Sequence, residues 1–165
     1  MTTRANPHAE AVLTRAAAAE RLDHAQRSVM TLLADSSQTA GALSVTRSTF
    51  PDGGDGAPPH FHGGASESLF VIGGALQVLA GDEVVVLEAG DFITLPPGLP
   101  HAFGAAPGAD ADVLAVFAPA ADRFDYYRLL ARVNAGEADP AEIPASGERF
   151  DNHYVDSPLW RAARS

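Results

Sequence analysis

The stretch HFHGGASESLFVIGG (60–74), continued by ALQVLAGDEVVVLEAGDFITLPPGLPHAF (75–103), decides how this chain is read. Short apolar runs, SLFVIG (68–73), ALQVLA (75–80), EVVVLE (83–88) and FITLP (92–96), alternate with glycine- and proline-centred breaks. Runs of this length, rich in β-branched residues and bounded by turn formers, read as strands. Gly73-Gly74 and Gly81-Asp82 fall where tight hairpins are predicted, and Gly90-Asp91 and Pro96-Pro97-Gly98 are further turn signals.

Outward from this centre lie VMTLLA (29–34), ALSVTRSTF (42–50), the turn-rich PDGGDGAPP (51–59) and DVLAVFA (112–118). About eight short strands with regular turns describe an antiparallel sandwich or barrel. After Ala121 the period changes: DRFDYYRLLARVNAGEA reads as a helix, with Phe124, Tyr127, Leu130 and Ala131 on one face and Gly136 and Pro140 as stops. That helix is read as packing over a barrel face. A lid carrying Tyr126, Tyr127, His153 or Trp160 toward the mouth is the other reading. Residues 1–28 read as a short helix or a loosely attached arm, 29–118 as the β-barrel, and 119–165 as a helix and tail packed on it.

Composition narrows the chemistry. The 165 residues have room for one domain, and 46% hydrophobic against 19% charged residues predicts a packed core. The formal charge is −10, which disfavours nucleic-acid binding. All 11 basic residues are Arg, so Schiff-base and P-loop lysines are excluded, as is a lysine-built membrane patch. With no Cys there is no disulfide, thiolate nucleophile or cysteine-bound metal, and any metal must be held by His, Asp or Glu. No apolar run reaches the roughly 18 residues that cross a bilayer, and the N-terminal stretch does not read as a secretory signal, so the expected location is the cytoplasm.

Three of the six His lie in or beside the central strands. His60 and His62, two apart, point to one face of an extended strand. Glu67 follows a glycine-containing bend, and His101 follows the PPGLP turn. In a closed barrel all four can converge, and three imidazoles with one carboxylate suit a divalent first-row metal with one or two positions left open. By strand parity Phe103 shares the face of His101, while Leu69 and Val71 share that of Glu67, so these three are expected to line the cavity. His8 and His24 read as solvated, and Asp52, Asp55, Asp82 and Asp91 as turn residues without a catalytic role.

These residues carry a resemblance. Residues 54–74 fit G-x5-HxH-x4-E-x6-G, with Gly54, His60, His62, Glu67 and Gly74 in place. Residues 90–105 fit G-x5-PxG-x2-H-x3-N through Gly90, Pro96, Gly98 and His101, but Ala105 stands where the motif has Asn. The chain thus resembles the cupin superfamily, and its tail, RFDNHYVDSPLW (149–160), resembles the small single-domain cupins described as quercetin 2,3-dioxygenase-like. The resemblance implies an all-β fold: a small antiparallel β-barrel (double-stranded β-helix, or jelly roll) with a C-terminal helical extension, paired as a homodimer. It implies one divalent transition metal (Fe, Ni, Mn, Co or Zn) held by His60, His62, Glu67 and His101.

The expected function is a metal-dependent dioxygenase acting on a small aromatic or enolic, flavonol-like compound with O2, in which Glu67 also serves as general base. The partners are then a small-molecule substrate, with neither nucleic acid nor membrane. Two other readings use the same barrel. One is a non-oxidative cyclase or isomerase of the polyketide-cyclase kind; the other is a non-catalytic small-molecule-binding cupin.

Overall fold

The computed structural model describes residues 10–120 and 122–165. The first nine residues of the expected arm, His8 among them, lie outside the described residues. Ten strands run as β1 (Arg21–Asp23), β2 (Val29–Ala34), β3 (Ser44–Phe50), β4 (His60–Phe61), β5 (Ser66–Ala80), β6 (Glu83–Glu88), β7 (Phe92–Leu95), β8 (His101–Ala105), β9 (Ala111–Ala118) and β10 (His153–Tyr154). The helices are α1 (Arg123–Asn134), α2 (Glu142–Ala145), α3 (Gly147–Phe150) and α4 (Pro158–Ala163). Every pairing among these strands is antiparallel, in the order β1-β2-β3-β9-β5-β8-β4-β10, with β6 and β7 also on β5. The sheet does not close on itself, but it wraps into a barrel-like body with helices at its C-terminal end, as expected for the fold class.

Alternation explains the wrapping. Along β3 and β9 every second residue is buried, so one face of each strand meets the core and the other meets solvent or the helices. Leu69, Val71, Leu76, Val78, Val113 and Phe117 form its fully buried centre. Helix α1 buries Phe124 and Tyr127, as its period predicts, together with Arg123 and Tyr126.

Three local expectations change. The hairpin predicted at Gly73-Gly74 is absent: β5 runs unbroken through it, pairing with β7 and β9 over its first half and with β6 and β8 over its second. The glycines instead mark a register shift between Val71 and Gly73 where the strand passes from one side of the barrel to the other. At Gly74, φ is +72°, and an added Cβ would lie 1.9 Å from the carbonyl oxygen of Asp110. Second, the stretch read as an arm contributes β1, which pairs with β2. Third, the tail contributes β10, which pairs with β4 so that Tyr154 lies opposite His60.

The crossing makes a stability prediction. Gly74→Ala should cost at least about 3 kcal/mol, since a left-handed backbone and a clash with fixed main chain act together. Gly90→Ala, where φ is +96° but nothing lies within 4 Å, should cost only about 1–2 kcal/mol. Urea denaturation of both variants checks this; equal losses would mean that the close approach to Asp110 is not a constraint.

Candidate metal centre

His60 opens β4 and pairs directly with His101, the first residue of β8. Glu67, second in β5, sits between Leu95 of β7 and Phe117 of β9. His62 follows β4 in a loop whose carbonyl oxygen accepts the Gly98 N–H at 2.7 Å, tying it to the PPGLP turn. The four side chains are all buried, and one ligand atom from each lies within 4.8 Å of the others. The group read from the sequence is therefore brought together.

The rings are oriented by main chain. Nδ1 of His60 lies 2.8 Å from the Pro58 carbonyl, Nδ1 of His62 2.5 Å from that of Asp151, and Nδ1 of His101 2.8 Å from that of Leu99. A carbonyl only accepts, so each Nδ1 carries the hydrogen and each neutral ring turns a bare Nε2 lone pair inward. The Nε2 atoms of His60 and His62 are 3.2 Å apart. Oε2 of Glu67 is 2.9 Å from Nε2 of His101 and 3.3 Å from that of His62. Lone pairs and a carboxylate facing one another at these distances need a cation between them, either protons or a metal. Nitrogen and oxygen donors anchored from behind by backbone acceptors are what a divalent metal requires, so the residues fit one.

The electrostatics agree. Burial pushes the His60 imidazole down to about 3, with the neighbouring His101 adding to the effect. Burial alone would raise the Glu67 carboxyl, but with a proton on the facing Nε2 atoms the hydrogen bonds from His101 and His62 hold it well below the usual carboxylate range. The group is thus held with His60 neutral and Glu67 ionised, the forms that bind metal.

Beside the group lies a cavity of about 410 Å³, inside the usual range for small-molecule sites (roughly 300–1,000 Å³). Glu67 and His60 form part of its wall. Phe103 also lines it, as expected, with its ring centroid 6.2 Å from that of Phe50. Leu69 and Val71 are not in the lining. They share the inward face of Glu67, but the side chains packed around them leave them fully buried in the core. Parity gives the face of a strand and says nothing about depth.

Of the four residues read as lid candidates, Tyr126 and Tyr127 line the cavity. Trp160 packs instead against Leu79 and Ala102, and His153 stacks on Phe61 with centroids 5.0 Å apart. His24 is not a solvated arm residue, since it is half-buried in the cavity wall.

Sequence reasoning missed the tail's part in the site. Asp151 supplies the carbonyl that orients His62, and its carboxylate accepts the N–H groups of Gly63 and Gly64 at 2.6 and 2.9 Å. Burial alone would raise that carboxyl; the two N–H groups lower it. The Tyr154 hydroxyl meets that of Tyr126 at 2.5 Å, joining β10 to α1. Where the motif Asn is missing, Ala105 is fully buried and its carbonyl accepts from Arg164 at 2.6 Å.

His101→Ala should leave a folded barrel that no longer holds metal after dialysis. Asp151→Ala keeps the carbonyl that orients His62 and removes only the carboxylate that accepts from Gly63 and Gly64. It should therefore keep metal stoichiometry and weaken affinity by less than the roughly 10–100-fold that loss of an orienting group itself costs. Elemental analysis and competition with a chromogenic chelator measure both; unchanged metal content in His101→Ala would sink the ligand assignment.

A second expectation concerns acid. His60 is neutral in the fold and takes a proton near pH 6.5 when unfolded. Its contribution to stability is therefore present above that pH and lost as pH falls toward 3. The slope is at most about 1.4 kcal/mol per pH unit. In metal-free protein the urea midpoint should hold between pH 8 and 7 and drop between 6.5 and 5, and His60→Gln should flatten the drop.

Residues 46–117 match the protein family described as the cupin domain. No curated protein sequence matches the chain. Among solved structures it is similar to an RmlC-like cupin from Shewanella frigidimarina NCIMB 400, at 21% identity over 70% of this chain and 96% of that one, with a TM-score of 0.60. It is similar also to Pac13 of Streptomyces, a nucleoside dehydratase (21%, 65% and 81%, TM-score 0.51), and to FeII HppE (21%, 65% and 60%, TM-score 0.56). At such identities the likeness shows the fold, and together with the family match it supports one conclusion: residues 46–117 of this chain form a cupin domain.

Proposed function

We propose that this protein is a metal-dependent dioxygenase acting on a small aromatic or enolic compound of the flavonol kind. One observation carries the reading: the buried His60, His62, Glu67 and His101 group converges at the wall of a cavity sized for a small molecule, with Glu67 itself part of that wall. His60, His62 and His101 would hold the metal through Nε2, and Glu67 through its carboxylate. The metal would supply Lewis acidity and, as iron, nickel, manganese or cobalt, redox chemistry toward dioxygen.

The protein's own groups have separate tasks. Glu67, ionised and fully buried, accepts the hydroxyl proton of an enol or phenol entering the cavity. Phe50, Phe103, Met30 and Leu130 give that cavity an apolar wall, which excludes water and receives a flat ring. The Tyr126–Tyr154 contact ties helix to tail along the same wall. FeII HppE, of the same fold, is an iron protein by its description, which supports iron as the first metal to try.

Protein purified without chelator or affinity nickel should carry about one Fe, Ni, Mn or Co per chain and consume oxygen when given quercetin. Glu67→Gln should lower kcat by about 10²–10⁴-fold and metal affinity much less, as loss of a general base does. Equal losses in both would make Glu67 a ligand only. Zinc at one per chain with no oxygen uptake would replace this reading by cyclase or isomerase chemistry on the same residues. A protein that takes up no metal would be a binding barrel.

A further inference from the structure

The cavity wall is polarised in one sense. Seven buried side-chain nitrogen or oxygen atoms among the described residues have no hydrogen-bond partner, and five of them, on His24, Ser28, Thr46, Arg123 and Asn152, belong to residues lining this one cavity. Nε of Arg123 and Nδ2 of Asn152 can only donate. Nδ1 of His24 faces the Asn134 amide nitrogen at 3.3 Å and so accepts, which leaves the hydrogen on its unpartnered Nε2. The hydroxyls of Ser28 and Thr46 donate freely. The unmatched nitrogens of this wall are thus all donors, and what they lack is an acceptor.

Charge points the same way. Arg123 is 2% exposed, and no carboxylate among the described residues lies within ion-pair distance of it. Its Nη1 donates to the Phe150 carbonyl at 2.9 Å and its Nη2 reaches Asn152 Oδ1 at 3.4 Å. The guanidinium rests on the rings of Phe117, Tyr126 and Tyr127, with its central carbon 4.4, 4.7 and 5.2 Å from their centroids. Those rings fix the cation in place, and the Tyr127 side chain also interacts with it, but Nε is left without a partner. The carboxylates of the cavity wall are Glu67 and Asp55, and Asp55 is already paired with Arg164 at 2.8 Å. A divalent metal would more than offset Glu67. In a chain of net charge −10, the inner end of this cavity is a local positive centre lined with idle donors.

We infer that the substrate of this cavity carries a carboxylate, which takes its place against Arg123 and Asn152 while the apolar body of the molecule lies along Phe50 and Phe103. The inference rests on the reading of the cavity as the substrate site. It keeps the aromatic or enolic part of that reading and departs from its flavonol part, because a flavonol carries no carboxylate and the substrate inferred here is an aromatic or enolic acid. A buried cation with unfilled N–H groups discriminates strongly, because a neutral isostere leaves both the charge and the donors unmatched.

The test is calorimetric titration of the protein as purified, carrying whatever metal it holds, with 2-naphthoate and with 2-naphthamide, which differ in charge and hardly in shape. The naphthoate should bind at least tenfold more tightly. Asn152→Ala, which spares the guanidinium, should weaken the naphthoate about tenfold and leave the naphthamide unchanged, the scale of one hydrogen bond to a charged group. Arg123→Gln should bring the two ligands within about threefold. Equal affinity for both in the wild type, or no binding of either, overturns the inference and needs no variant to fold. Metal content, measured in parallel, separates the two proposals: a protein that discriminates but takes up no metal keeps the carboxylate site and loses the metal enzyme, and one that holds metal but does not discriminate does the reverse.

Discussion

Three imidazole rings held from behind by main-chain carbonyls form the constraint on which this structure turns. Pro58, Asp151 and Leu99 take the Nδ1 hydrogens, so three lone pairs and the Glu67 carboxylate have no choice but to face one another. Such an arrangement is unfavourable by itself, since desolvated like-signed groups repel. The surrounding fold maintains it from four directions: β4, the loop after it, β5 and β8 each deliver one residue, and β9 and β7 wall the carboxylate in. A site kept together against its own electrostatics is organised for a cation.

From that centre the cavity extends along a wall of two characters. Phe50, Phe103 and Leu130 offer apolar surface, whereas Arg123, Asn152 and His24 offer hydrogens without acceptors. On the proposed reading the first selects for ring shape and the second for the sign of the polar end. Both are assembled from parts far apart in the chain, because α1 and the tail complete what the barrel strands begin.

How far the sequence could be read follows from the kind of signal each residue carries. The four candidate ligands were legible because metal-binding residue types at period-two spacing, beside glycine and proline turns, seldom coincide for the sake of packing alone. The strands were legible through their alternation. Gly73-Gly74 misled because a glycine pair looks the same whether it turns a hairpin or lets a strand slip past a carbonyl; only the proximity of Asp110 separates the cases. Leu69 and Val71 had the correct face and the wrong depth. Asp151 was illegible for a different reason: its link to His62 runs through a backbone carbonyl, which every residue possesses. Nothing in the sequence sets Arg123 apart from other charged helix positions, because the rings of Phe117, Tyr126 and Tyr127 surround it only in the folded chain.

The bond between His62 and the Asp151 carbonyl spans 89 residues of sequence. During synthesis a growing chain that has reached His101 already holds all four candidate ligands, yet the group that aims His62 is still to be made. Tyr154, which pairs beside His60, comes later still. The centre therefore matures only after translation has passed the tail. Until then the nascent barrel offers the same four side chains in a looser arrangement.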